Sequence, residues 1–180
     1  MPVINLLGVA IFADEAHKGQ VRKYTGEPYI THPAAVASIL QQYFHATTTE
    51  MLAAALLHDT VEDTDTTIEQ IQYAFGGEVA ALVGWLTDMS VPSDGNRETR
   101  KAIDRNHTAK APFCAQVIKI ADLIHNSESI VEQDPIFAKV YLREKRLTLS
   151  AMLPSVKHLR IWQYASTQTY KSAKGNDDDE

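Results

Sequence analysis

The stretch Met51-Leu52-Ala53-Ala54-Ala55-Leu56-Leu57-His58-Asp59-Thr60-Val61-Glu62-Asp63-Thr64 decides how the rest of the chain is read. Its first half is apolar, made of strong helix formers, and free of Gly and Pro. Residues four apart share a helix face, so His58 is expected to align with Glu62, and Asp59 with Asp63. One helix end would then present an imidazole and three carboxylates. That is a poor way to build a core and a good way to hold a divalent cation.

Helical spacing continues on both sides of this stretch. Residues 4–18 have helical periodicity and end near Gly19. A polar loop over residues 20–30 leads to His32-Pro33, where proline suits a first helical turn. Thr48 or Thr49 is the expected cap of the helix carrying His58-Asp59. Thr66-Thr67-Ile68-Glu69 opens a short helix with a capping-box pattern, and Gly76-Gly77 ends it. Residues 78–89 form the next helix, and 90–96 a loop punctuated by Pro92 and Gly95. Residues 97–107 are polar, basic and weakly helical. Residues 113–130 are nearly all apolar; the β-branched Val117, Ile118 and Ile120 allow a strand, but the length favours a buried helix. Helices over 135–152 and 154–164 follow. No run alternates as a strand would, so the expected fold is all-α: one helical bundle over residues 1–170, with an acidic, disordered tail over 171–180.

A formal net charge of -6 argues against a nucleic-acid partner, because phosphate backbones select basic surfaces. The single cysteine, Cys114, cannot form an intramolecular disulfide, which suits a reducing cytoplasmic setting. No apolar run approaches the roughly 20 residues that span a bilayer, and no basic region opens a signal peptide, so no membrane partner is expected.

Three separated segments offer metal ligands: His32, the His58-Asp59 pair, and Asp122 within the apolar 113–130 run. Burying such groups is costly unless they are paired or bound to a cation. Two imidazoles and two carboxylates, without thiolates, suit manganese, iron, zinc, cobalt or another first-row divalent ion. Taken singly, a histidine before proline is usually a cap or surface residue, and a His-Asp dipeptide is a weak signal. The combination and its spacing carry the reading. His17, His45, His107, His125 and His158 receive no metal role; His45 and His158 are expected to face solvent, and His125 to pack behind the site.

The runs Ala16 to Lys23, Gly26 to Pro33, Ala53 to Thr64, and Lys119 to Asp122 with Asn126 resemble the HD-domain phosphohydrolases. More narrowly they are similar to the hydrolase domain of RelA/SpoT proteins and to stand-alone small alarmone hydrolases, including the metazoan SpoT homologues. The resemblance covers about residues 5–150. It implies metal ligation by His32, His58, Asp59 and Asp122, usually of Mn²⁺, and a catalytic acidic pair, Glu62 and Asp63. It also implies that a 3′-pyrophosphate is removed from guanosine tetra- or pentaphosphate. Arg22, Lys23 and Asn126 match nucleotide-contacting positions. Tyr29 can line the pocket, and Arg97, Arg100, Lys101 and Arg105 can reach phosphates.

The chain also departs from the family pattern. Tyr24-Thr25 stands where one small residue is usual, Leu123 replaces a basic residue, and Glu128 stands where an arginine is expected. No ligand is touched, so the departures bear on base or phosphate recognition. An adenosine alarmone of the (p)ppApp type is therefore a second expected substrate, and a nicotinamide dinucleotide phosphate a third. A general HD nucleotidase or phosphodiesterase, and a nucleotide sensor without turnover, are the competing functions.

Overall fold

The computed structural model describes the backbone of residues 4–174 and the side chains of residues 4–169. The chain divides into two compact units, Met1–Asp88 and Met89–Glu180. The described residues are helical, and the only β pairing among them is an isolated antiparallel bridge between Val21 and Pro28.

The first unit contains α1 (Leu6–Ala16), α2 (Thr31–Tyr43), α3 (Thr49–Leu57), α4 (Thr60–Asp63), α5 (Ile68–Phe75) and α6 (Gly77–Leu86). Helix α3 is its spine and packs on α1, α2 and α6. Met51, Ala53, Ala54, Ala55, Leu56 and Leu57 are all buried. Three small alanines let neighbouring helices approach, while burying Met51, Leu56 and Leu57 contributes about 1.5–3 kcal/mol each. Thr48 caps α3 by accepting the Met51 N–H at 3.2 Å. The α5 capping box uses Thr67 and Gln70, one residue later than Thr66-Glu69. Between α1 and α2 the chain makes a tight turn: Gly26 has φ +72°, and Arg22 N–H donates to the Glu27 carbonyl at 2.8 Å.

Contrary to the expectation of one continuous helix through Asp63, α3 stops at Leu57 and a separate short helix begins at Thr60. The cause is local. The His58 Nδ1–H donates to the Ala55 carbonyl at 2.8 Å, and the Thr60 hydroxyl donates to the Leu57 carbonyl at 2.7 Å. Side chains thus satisfy terminal carbonyls that the helix leaves open.

The second unit contains a 3-10 turn (Pro92–Asp94), α7 (Arg97–Lys110), α8 (Phe113–Gln133), α9 (Pro135–Ala151), α10 (Pro154–Lys157) and α11 (Arg160–Lys174). The β-branched run lies inside α8, which packs against α9, α10 and α11. Two helices, broken near His158, replace the single one expected from Pro154 to Tyr164. Helix α11 runs on to Lys174, and the acidic tail from Gly175 lies outside the described residues. Gln116 is fully buried; its amide nitrogen donates to the Thr108 and Ala111 carbonyls at 3.1 Å, and its oxygen accepts the Leu153 N–H at 2.9 Å. It thereby satisfies the end of α7 and the turn before α10. No helix among the described residues is long and apolar enough to cross a membrane.

Lys145 of α9 is buried, and its amine donates to Ser127 of α8 at 2.7 Å and to Gln168 of α11 at 2.6 Å. Burial lowers its pKa from 10.5 to about 7, against the opposing charges of Glu128 and Asp122. The unfolded chain therefore binds the extra proton between pH 7 and 10.5, and folding stability gains as pH rises through that window. The charge penalty is complete below pH 7. Lys145→Met removes this titration. The stability of the native protein relative to K145M is expected to climb from pH 7.5 to 9.5 by up to about 1.4 kcal/mol per pH unit. Denaturant titration of both proteins at several pH values measures it, and a flat difference contradicts the buried charge.

Candidate metal centre

Three side chains of the first unit converge. His32 sits in the first turn of α2, fixed by its own N–H donating to the Tyr29 carbonyl at 2.9 Å and followed by the buried Pro33. His58 follows the last residue of α3, and Asp59 precedes the first of α4. Both imidazoles are 1% exposed. The Nε2 atoms of His32 and His58 are 3.2 Å apart. Asp59 Oδ2 lies 3.0 Å from His58 Nε2 and 3.4 Å from His32 Nε2.

This spacing fits a first-row cation. Ligands about 2.1 Å from an ion lie about 3.0 Å apart at right angles and about 3.4 Å apart in a tetrahedron. The tautomer fits as well. With the His58 Nδ1–H committed to the Ala55 carbonyl, the lone pair is on Nε2, the atom facing the other ligands.

Beside this triad the Tyr29 hydroxyl donates to Asp59 Oδ2 at 2.8 Å and reaches Asp63 Oδ2 at 3.1 Å. The expected alignment of Asp59 with Asp63 is thus present despite the helix break. Partial desolvation and the charge of Asp59 push the Asp63 carboxyl above its ordinary value, while the Tyr29 bond pulls it back. His58 is buried, whereas Glu62 is exposed and accepts the Asp88 N–H at 3.2 Å. The Arg22 guanidinium lies 5.7 Å from the Tyr29 ring centroid. Lys23 is exposed and turns to Tyr24, its amine 3.3 Å from that hydroxyl.

In the second unit, Asp122 is buried on α8. Its carboxylate meets the Lys119 amine at 3.1 Å and accepts from the Asn126 amide at 2.6 Å. Arg97 forks onto Glu144 with two 2.8 Å bonds and lies 5.1 Å from the Phe137 centroid. Arg100 has a buried Nε, and Lys101 meets Asp104 at 3.5 Å. His125 is half-buried, while His45 and His158 are exposed as expected.

The sequence gives His17 no metal role, and it singles out neither His17 nor Gln20 beyond their shared motif. His17 is buried and stacks on Tyr29 with centroids 4.4 Å apart. Gln20 bonds the His17 ring and the Asp63 carbonyl, both at 2.8 Å. Membership of both in the Ala16 to Lys23 run was the available signal.

A family model described as an HD domain matches residues 10–146. The chain is 42% identical over 125 residues to a Danio rerio protein named guanosine-3′,5′-bis(diphosphate) 3′-pyrophosphohydrolase MESH1, covering 67% of this chain and 66% of that one. It is also 42% identical over 135 residues to the Xenopus tropicalis protein of that name, covering 72% of each. Among solved structures it superimposes with a TM-score of 0.82 and 25% identity on a metazoan orthologue of SpoT that hydrolyses ppGpp, covering 97% of this chain and 98% of that one. With its His-Asp pair seated against His32 of α2, the chain belongs to the HD-domain family, within the group that includes the metazoan SpoT homologues.

Proposed function

We propose that this protein is a metal-dependent hydrolase that removes the 3′-pyrophosphate from a purine alarmone. The observation that carries the reading is the meeting of His32 Nε2, His58 Nε2 and Asp59 Oδ2 within 3.4 Å, in a chain whose relatives are named for this reaction. These three residues would hold the cation, with Asp122 as the fourth ligand that the family resemblance implies. Mn²⁺ is the proposed ion, and the cytoplasm the proposed setting. When bound, such an ion lowers the pKa of water and offsets phosphate charge.

The chain's own residues supply the rest. Glu62 and Asp63 orient the attacking water and accept its proton. The water oxygen bonds to the phosphorus next to the ribose, the P–O3′ bond breaks, and a proton goes to O3′, so pyrophosphate leaves intact. Arg22, Lys23 and Asn126 are the proposed nucleotide contacts, with Arg100 and Lys101 on the phosphates. Arg97 is a weaker member of that set, because Glu144 already occupies its fork.

An adenosine alarmone is the second substrate, favoured by one observation. Glu128 stands, two residues after the proposed nucleotide contact Asn126, where the family pattern has a cation, so the charge at the nucleotide end differs. Purified protein incubated with Mn²⁺ and either ppGpp or ppApp is expected to release pyrophosphate and the corresponding nucleoside 5′-diphosphate. Orthophosphate as the product would support the nucleotidase reading instead. Both nucleotides bound but intact would support the sensor.

A further inference from the structure

Tyr29 joins the ligand set to the acidic pair. Its hydroxyl donates to Asp59 Oδ2, the same oxygen that faces both imidazoles, and in the same fork reaches Asp63 Oδ2. A carboxylate oxygen offers two lone-pair directions. With one taken by the phenol, the other is aimed at the space between His32 and His58. The hydroxyl also ties Asp63, one helical turn further on, to that oxygen.

The ring that carries this hydroxyl is itself held from several sides. His17 stacks on it at 4.4 Å with 25° between planes, and the Arg22 guanidinium lies 5.7 Å from its centroid. The Tyr29 N–H donates to the Gln20 carbonyl at 3.1 Å, and the Tyr29 carbonyl accepts the N–H of His32 at 2.9 Å, so tyrosine and ligand share one rigid turn. Gln20 completes the frame. Its side-chain oxygen accepts the His17 Nδ1–H, and its amide donates to the Asp63 carbonyl, both at 2.8 Å. His17 is 3% exposed, and its Nε2 is enclosed without a hydrogen-bond partner. An orphaned buried nitrogen is costly. A phenyl ring would stack without that cost, so what histidine adds here is the bond to Gln20.

We infer that Tyr29 is a positioning residue rather than a substrate contact: it sets Asp59 for the cation and Asp63 beside it, and His17 and Gln20 lock its ring. The inference rests on the hydrolase reading above and assigns the His17-Gln20 motif a task within it. Groups that orient a metal ligand in this way are worth about 10–100-fold in metal affinity or activity.

The test is Tyr29→Phe in the full chain, with Mn²⁺ affinity measured from the resonance of the free ion. Values of kcat and KM for ppGpp are measured separately at saturating Mn²⁺. Y29F is expected to bind Mn²⁺ about 10–100-fold more weakly and to lose kcat, with KM nearly unchanged. His17→Phe keeps the stack and cuts the bond to Gln20, so a smaller loss of Mn²⁺ affinity is expected, about 5-fold, the equivalent of one ordinary hydrogen bond. Native Mn²⁺ affinity in both variants, or a raised KM alone in Y29F, overturns the inference and returns Tyr29 to the substrate. A wild-type protein that binds no Mn²⁺ overturns the metal reading itself, a distinct result.

Discussion

Asp59→Ala is expected to abolish bound metal and turnover together. Asp59 Oδ2 meets His32, His58 and Tyr29 at once, at 3.4, 3.0 and 2.8 Å. Without it the two imidazoles and the proposed ligand Asp122 remain, and one of the two carboxylate charges that favour a divalent ion is gone. Losing the ion's activation of water, worth several kcal/mol, corresponds to a fall of about 10³-fold or more in kcat/KM. Asp59→Asn separates chemistry from folding: its oxygen can still accept from Tyr29, but its negative charge is lost. Both variants should keep the native circular dichroism spectrum while metal analysis returns less than a stoichiometric ion. An active variant free of metal would contradict the ligand assignment.

The helices were legible where periodicity and burial agree. Helix α3 is apolar and small-sided because it is enclosed by three neighbours, and α8 carries β-branched residues yet is too long for a strand. The polar α7 gave a weaker signal, since its Asn96 cap is strong but few of its residues are buried. The break after Leu57 was not legible. It depends on His58 and Thr60 taking particular carbonyls, and hydrophobic spacing does not encode that choice. Of the site, the meeting of His32, His58 and Asp59 was legible because buried His and Asp residues need partners. The role of Tyr29 was not, because its hydroxyl meets carboxylates 30 and 34 positions away. The same distance problem hid the Arg97 fork onto Glu144, 47 positions on, which draws Arg97 toward structure.

Glu62→Ala provides the complementary result: metal retained and rate lost. Glu62 contributes no atom to the His32, His58 and Asp59 cluster, so stoichiometric metal should remain. Its carboxylate accepts the Asp88 N–H at 3.2 Å, a bond that steadies the side chain at an otherwise exposed position. A surface glutamate held this way three residues after Asp59 is suited to orient or deprotonate water at the proposed metal site, a contribution of about 10²- to 10⁴-fold in rate. Turnover at saturating Mn²⁺ should therefore fall by about 10²-fold or more, with little change in stability because the residue is solvated. Asp63→Asn tests the other half of the pair. Its carboxyl is more basic than usual, but it is also tethered by Tyr29, so its loss should affect both rate and the setting of Asp59. A metal-replete E62A protein with native turnover would remove Glu62 from the mechanism and leave Asp63 as the base. A metal-replete, slow E62A protein beside a metal-poor D59A protein would divide the labour between neighbouring carboxylates: one holds the ion, and the other handles the proton.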